Sequence, residues 1–138
     1  MNKTILNVWK KSIGVLALSL CVITGFGTYA CAANYTAYAL KLNKSNNFTS
    51  IHDKETAYNY IINEVTAITN TSYANFWAVN NSNSKISNKY KQGVGTGKVK
   101  ILFTSSGYDG IDKQVGMGME NYVSQASTAF VSGTVDFK

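Results

Sequence analysis

Between Ala129 and Phe137 every second residue is apolar or bare. Ala129, Val131, Gly133, Val135 and Phe137 take one side, while Phe130, Ser132, Thr134 and Asp136 take the other. A period of two marks a half-buried strand, because successive side chains leave a pleated backbone on opposite faces. The pattern recurs upstream. Tyr35 to Leu42 sets Thr36, Tyr38, Leu40 and Leu42 against Ala37, Ala39 and Lys41, and Val99, Ile101 and Phe103 oppose Lys98, Lys100 and Leu102. Val115, Met117 and Met119 alternate with Gly116, Gly118 and Glu120, so a second sheet or a loop is expected to lie close against the nearly bare glycine face. Tyr73 to Val79 is expected as the central strand, with Phe76 and Trp77 pointing opposite ways. Phe76, Trp77, Val131 and Val135 are the expected core anchors.

Turn chemistry separates these runs. Asn43 to Ser50 reads as a polar loop with Phe48 as a lid over one end of the core, and Asn80 to Ser84 is five consecutive Asn and Ser residues. Gly93-Val-Gly-Thr-Gly97 is expected to join Ile86–Gln92 and Lys98–Thr104 as a hairpin, and Asp109-Gly110 to make a further reversal. Residues 54–69 carry two patterns. Ala57, Tyr58, Ile61, Ile62, Val65 and Ile68 fit a helical stripe with Asp53 as N-cap, whereas Thr56, Ile61, Ile62, Val65, Thr66, Ile68 and Thr69 are β-branched and suit a pleated surface. A strand is the preferred reading there and a helix the alternative. About seven short strands with no βαβ rhythm predict an all-β fold, a single antiparallel β-sandwich.

The first residues change the setting. Lys3, Lys10 and Lys11 precede an apolar run from Ile13 to Phe26 and the small residues Ala30, Cys31, Ala32 and Ala33, the layout of a secretory signal peptide. Cleavage among Ala30, Ala32 and Ala33 divides the chain into a leader, 1–32, and an extracellular domain, 33–138. The apolar run is short for a membrane span, so no stable membrane insertion is expected once the leader is cut. Thr28 and Tyr29 make a poor signal for lipid attachment at Cys31. Cleavage removes Cys21 and Cys31, leaving no disulfide and no thiol chemistry.

The leader holds three of the 13 lysines and none of the seven acids, so the exported part carries +3. Arginine is absent and the lysines are scattered between strands, an arrangement that speaks against nucleic acid and reads as solvated faces and edge protection, with a mild pull towards anionic cell surfaces as the weaker reading.

Candidate chemistry is sparse, and no catalytic residue, metal site or cofactor is expected. His52, beside Asp53, is the only histidine and reads as an exposed loop residue, with no Gly-x-Ser-x-Gly nucleophile motif in the chain. Asp109 and Asp112 lack the spacing of a calcium loop, and Glu64 with Glu120 is an unspecific carboxylate pair. Gly93 to Lys98 has the glycine and lysine of a phosphate loop, but Val99 stands where Ser or Thr is required and no helix is expected after it. Tyr73, Tyr90, Tyr108 and Tyr122 are the candidates for a ligand surface, since tyrosine pairs an apolar ring with a polar tip.

The order Tyr35-Thr-Ala-Tyr38, Asn75-Phe-Trp-Ala78, Lys85-Ile-Ser87, Lys91-Gln-Gly93, Gly118-Met-Glu-Asn121 and Val131-Ser-Gly133 resembles a family of small secreted proteins from Gram-positive bacteria known only as a domain of unknown function. The likeness covers most of residues 33–138 and brings no activity or catalytic residues with it. In layout, a leader followed by a small all-β domain, the chain is also similar to the lactococcin-type bacteriocins. The resulting expectation is a non-enzymatic secreted protein, bacteriocin-like or otherwise active at the cell envelope. The alternative is an extracellular binding module for a polysaccharide or a surface protein. The cell envelope or another protein is the expected partner.

Overall fold

A computed structural model describes residues 32–138. The strands are β1 (Ala32–Leu40), β2 (Asn47–Phe48), β3 (His52–Asp53), β4 (Tyr60–Thr69), β5 (Ala74–Asn80), β6 (Tyr90–Gln92), β7 (Val99–Leu102), β8 (Gln114–Asn121) and β9 (Ala129–Asp136), with one 3₁₀ turn at Leu42–Lys44. They form two antiparallel sheets, β1-β9-β4-β7 and β2-β8-β5-β6, with β3 continuing the β2 edge along β8. The protein is a β-sandwich. No helix among the described residues is long and apolar enough to cross a membrane.

Alternation along the strands builds the interior. Ile61 and Val65 of β4, Ile101 of β7 and Ala129, Val131 and Val135 of β9 face Phe76 and Ala78 of β5 and Val115, Met117 and Met119 of β8. A buried polar chain crosses between the sheets: Tyr35 Oη donates to Asn63 Oδ1 at 2.9 Å, and Asn63 Nδ2 donates to Gln92 Oε1 at 3.0 Å. Burial pushes the Tyr35 phenol above its ordinary range, against a smaller opposing effect of the Asn63 hydrogen bond. Bonds between flanking strands close the sides. Asn47 Nδ2 donates to the Ala39 carbonyl at 2.9 Å, and the Leu102 N–H donates to Tyr90 Oη at 3.3 Å.

Several local expectations are corrected. In 54–69 the preferred strand reading holds, but only from Tyr60; residues 54–59 carry the chain from one sheet to the other, and Ala57 and Tyr58 of the helical stripe are exposed. β1 contains a bulge between Tyr35 and Tyr38, with Ala37 at φ 50°, so Tyr35 and Tyr38 face the interior together and Thr36 is exposed. Leu42 falls beyond the strand and is exposed. Phe48 is no lid over the core. It belongs to a two-residue strand, and its ring stands edge-on to Trp77, on the outer side of the sheet.

The expected hairpin across Gly93 to Gly97 does not form. β6 pairs with β5 and β7 pairs with β4, so the glycine-rich link crosses between sheets. The two arms touch at the Ser87–Phe103 bridge, where the Thr104 N–H donates to the Ile86 carbonyl at 2.8 Å, and where Leu102 meets the Tyr90 hydroxyl. Alternation tells which face of an arm is apolar, not which neighbour it pairs with, and here each arm covers the open edge of a different sheet.

Residues 1–31 of the expected leader, Ala30 among them, lie outside the described residues. Ala32 and Ala33 open β1, opposite Asp136 and Val135.

Candidate functional site

Trp77 is buried, with 2% of its surface exposed, yet it lies outside the intersheet cluster that holds Phe76, Val131 and Val135. It sits on the outer face of the five-stranded sheet because β8 offers glycine where a side chain would stand. Gly118 is flanked by Trp77 on one side and Phe48 on the other, and any side chain at 118 would collide with the indole. The close neighbour expected for this bare face is therefore the tryptophan of the adjacent strand. Ile51 and Val79 cover Gly116 in the same manner.

A charged layer covers the indole. Lys89 Nζ stands 4.7 Å from the Trp77 ring centre and 2.8 Å from both Glu120 carboxylate oxygens, while Asn75 Nδ2 donates to Glu120 Oε1 at 2.9 Å. Two residues on, in β6, Lys91 lies between two aromatic rings, 4.0 Å from the centre of Tyr73 and 4.3 Å from that of Tyr122. Those rings are 6.4 Å apart and inclined at 71°, and both are well exposed, at 44% and 39%. Beside them opens a cavity of about 330 Å³ lined by Thr71, Ser72, Tyr73, Tyr122, Val123 and Gln125. Aromatic faces, a cation and hydroxyl and amide groups thus converge at one end of the sheet.

The structure divides the four tyrosines singled out from sequence. Tyr73 and Tyr122 meet across Lys91. Tyr90 and Tyr108 pack instead against the core, their hydroxyls accepting from the Leu102 N–H and from Asn80 Nδ2 at 3.3 and 3.2 Å. His52 is not an exposed loop residue. It is half-buried in β3 with its ring stacked 4.4 Å from Phe137. Among the described residues no three His, Cys, Asp or Glu side chains gather as metal ligands. Glu64 and Glu120 stand on different sheets. Gly93 closes a turn with Thr96, and a strand follows.

The lysines were the residues missed. Lys89 and Lys91 read as solvated edge charges, and the only signal of their role is their spacing of two residues in a segment that follows the aromatic-rich run Tyr73 to Val79. Lys54 gave no signal at all. It is only 1% exposed; its ammonium has no hydrogen-bond partner among the described residues and lies 5.2 Å from the Phe103 ring centre. Burial pulls its pKa down from 10.5 to about 8, against the attraction of Asp109 and Asp136.

No protein-family model, curated protein or solved structure matches the chain.

Proposed function

We propose that the chain is an extracellular, non-enzymatic binding domain that engages a cell-envelope polysaccharide through the Tyr73–Lys91–Tyr122 end of its five-stranded sheet. The carrying observation is the pair of half-exposed tyrosines around one lysine, beside a cavity edged by Thr71, Ser72 and Gln125. A sugar ring presents C–H groups to an aromatic face and hydroxyls to polar side chains, and a volume of about 330 Å³ is within the range of small-ligand sites. Lys91 adds attraction for the acidic groups of envelope polymers.

Envelope binding is also the first step that a bacteriocin-like action requires, so growth inhibition of related strains by the purified protein belongs to the same reading. The direct test is co-sedimentation with purified wall polysaccharide. Replacing both rings, Tyr73→Ala with Tyr122→Ala, is expected to weaken binding at least about tenfold, roughly 1.4 kcal/mol. Equal binding by that variant, or no binding of the native protein to any envelope polysaccharide, sinks the proposal.

A further inference from the structure

The outer face of the four-stranded sheet carries a second assembly of the same kind. Tyr60 points outward from β4, since Ile61, Asn63 and Val65 of that strand point in. Tyr58 stacks on it with ring centres 5.2 Å apart and planes within 13°, and Lys100 of β7 places its ammonium 4.5 Å from the centre of Tyr60. Tyr58 is 52% exposed, and Leu102, opposite Tyr60 in the ladder, is 45% exposed. Among the described residues the ion pairs are Lys89–Glu120 and Lys138–Asp136, so no carboxylate within 4.0 Å neutralises either Lys91 or Lys100. Each outer face thus offers tyrosine rings beside a lysine that makes no ion pair of its own, with the Glu64 and Asp136 carboxylates further out on the four-stranded face. A ligand suited to both has apolar ring faces and negative charge, the chemistry of an acidic polysaccharide.

The two platforms face opposite ways. Their sheets pack inner face to inner face, roughly 10 Å apart between backbones, so a polymer segment lying flat on one platform is turned away from the other. From this we infer that the Tyr58–Tyr60–Lys100 face is a second site for the same acidic polysaccharide and that one molecule bridges two polymer strands. The inference rests on the polysaccharide reading proposed above and adds a second site to it. Such a monomer would cross-link an envelope polymer rather than only coat it, since two sites on one body hold separate strands at high effective concentration.

The test uses beads bearing covalently attached polygalacturonate, as the uronate source of charge, and beads bearing a phosphomannan, as the phosphate source. Bound protein and bead clumping are measured separately. The native protein is expected to bind and clump at least one kind of bead. Tyr58→Ala with Tyr60→Ala, and independently the milder Lys100→Glu, are expected to remain bound through Tyr73 and Tyr122 but to clump at least tenfold less. Tyr73→Ala with Tyr122→Ala should bind at least tenfold more weakly, through the second face alone, and should not clump. Native protein that binds at every ratio without clumping overturns the bridging inference and leaves the first site standing. So does clumping undiminished in both Tyr58/Tyr60 and Lys100 variants, which would point to pairing of molecules through a single face. Absence of binding to both polymers and to wall polysaccharide removes the proposed function and this inference together.

Discussion

Of the four lysines that sit over aromatic rings among the described residues, Lys89 and Lys54 have opposite surroundings. On the outer face, Lys89 keeps 39% of its side chain in solvent, grips both oxygens of Glu120 and roofs Trp77. At the end of the sandwich, where the chain crosses from β3 to β4, Lys54 is almost wholly enclosed over Phe103, with no hydrogen-bond partner. A ring attracts a cation in both places. That attraction, of order 0.5 to 2 kcal/mol, cannot replace the hydration that a buried ammonium loses. The difference lies in the carboxylate and the remaining water, which make the outer cluster stabilising and leave Lys54 a liability.

The outer cluster should show the largest effect when its centre is removed. Trp77→Ala is expected to cost about 3 to 5 kcal/mol, because the trough over Gly118 would be left empty. Urea unfolding reads this directly, and a loss below about 1 kcal/mol would mean that the outer layer contributes little. Lys54→Met should act in the opposite sense, stabilising the protein by about 2 kcal/mol at pH 7, because an apolar chain of similar volume removes a desolvated charge. A destabilised Met variant would show that Lys54 has a compensating partner after all. Lys89→Met is expected to cost about 1 to 2 kcal/mol, discounted for the solvent around Lys89, since it strands the buried Glu120 carboxylate with Asn75 alone. If Lys54→Met and Lys89→Met shift the urea midpoint in the same direction, the contrast between the two sites fails.

A pH series sharpens the comparison with the smallest change to the protein. The Lys54 pKa falls from 10.5 unfolded to about 8 folded, so between those values the unfolded chain holds more proton and stability rises with pH. Tyr35 works the other way. Its folded pKa lies above the ordinary 10.0, so the unfolded chain loses that proton first and stability falls above about pH 10. Urea midpoints of the native protein should therefore climb from about pH 8 to about pH 10 and then turn down. Lys54→Met should keep the downturn and lose the climb.

Much of the sandwich was legible in the residues. The alternations of Val115 to Met119 and Ala129 to Phe137 gave two internal strands with the right faces inward, and the β-branched run after Tyr60 favoured strand over helix. Less of the candidate face was legible. Tyr73 and Tyr122 stood out as aromatics, but nothing local tied them to each other or to Lys91, which reaches them only because Asn75 faces both Lys91 and Glu120 in the ladder. The Tyr58–Tyr60 stack is not legible, because nothing local separates residues 54–59 from the strand that follows.

Sequence alone settled what each segment prefers: pleated strands, apolar on one face, separated by Asn, Ser and Gly turns. Those preferences are local, set by side-chain shape and by the two-residue period of an extended backbone. Only the tertiary structure decided which edges pair, and it sent the two arms around Gly93 to Gly97 into different sheets. It also placed the indole outside the intersheet core and enclosed Lys54. Pairing and burial depend on which distant surfaces meet, and a period-two pattern looks the same whichever neighbour supplies the hydrogen bonds.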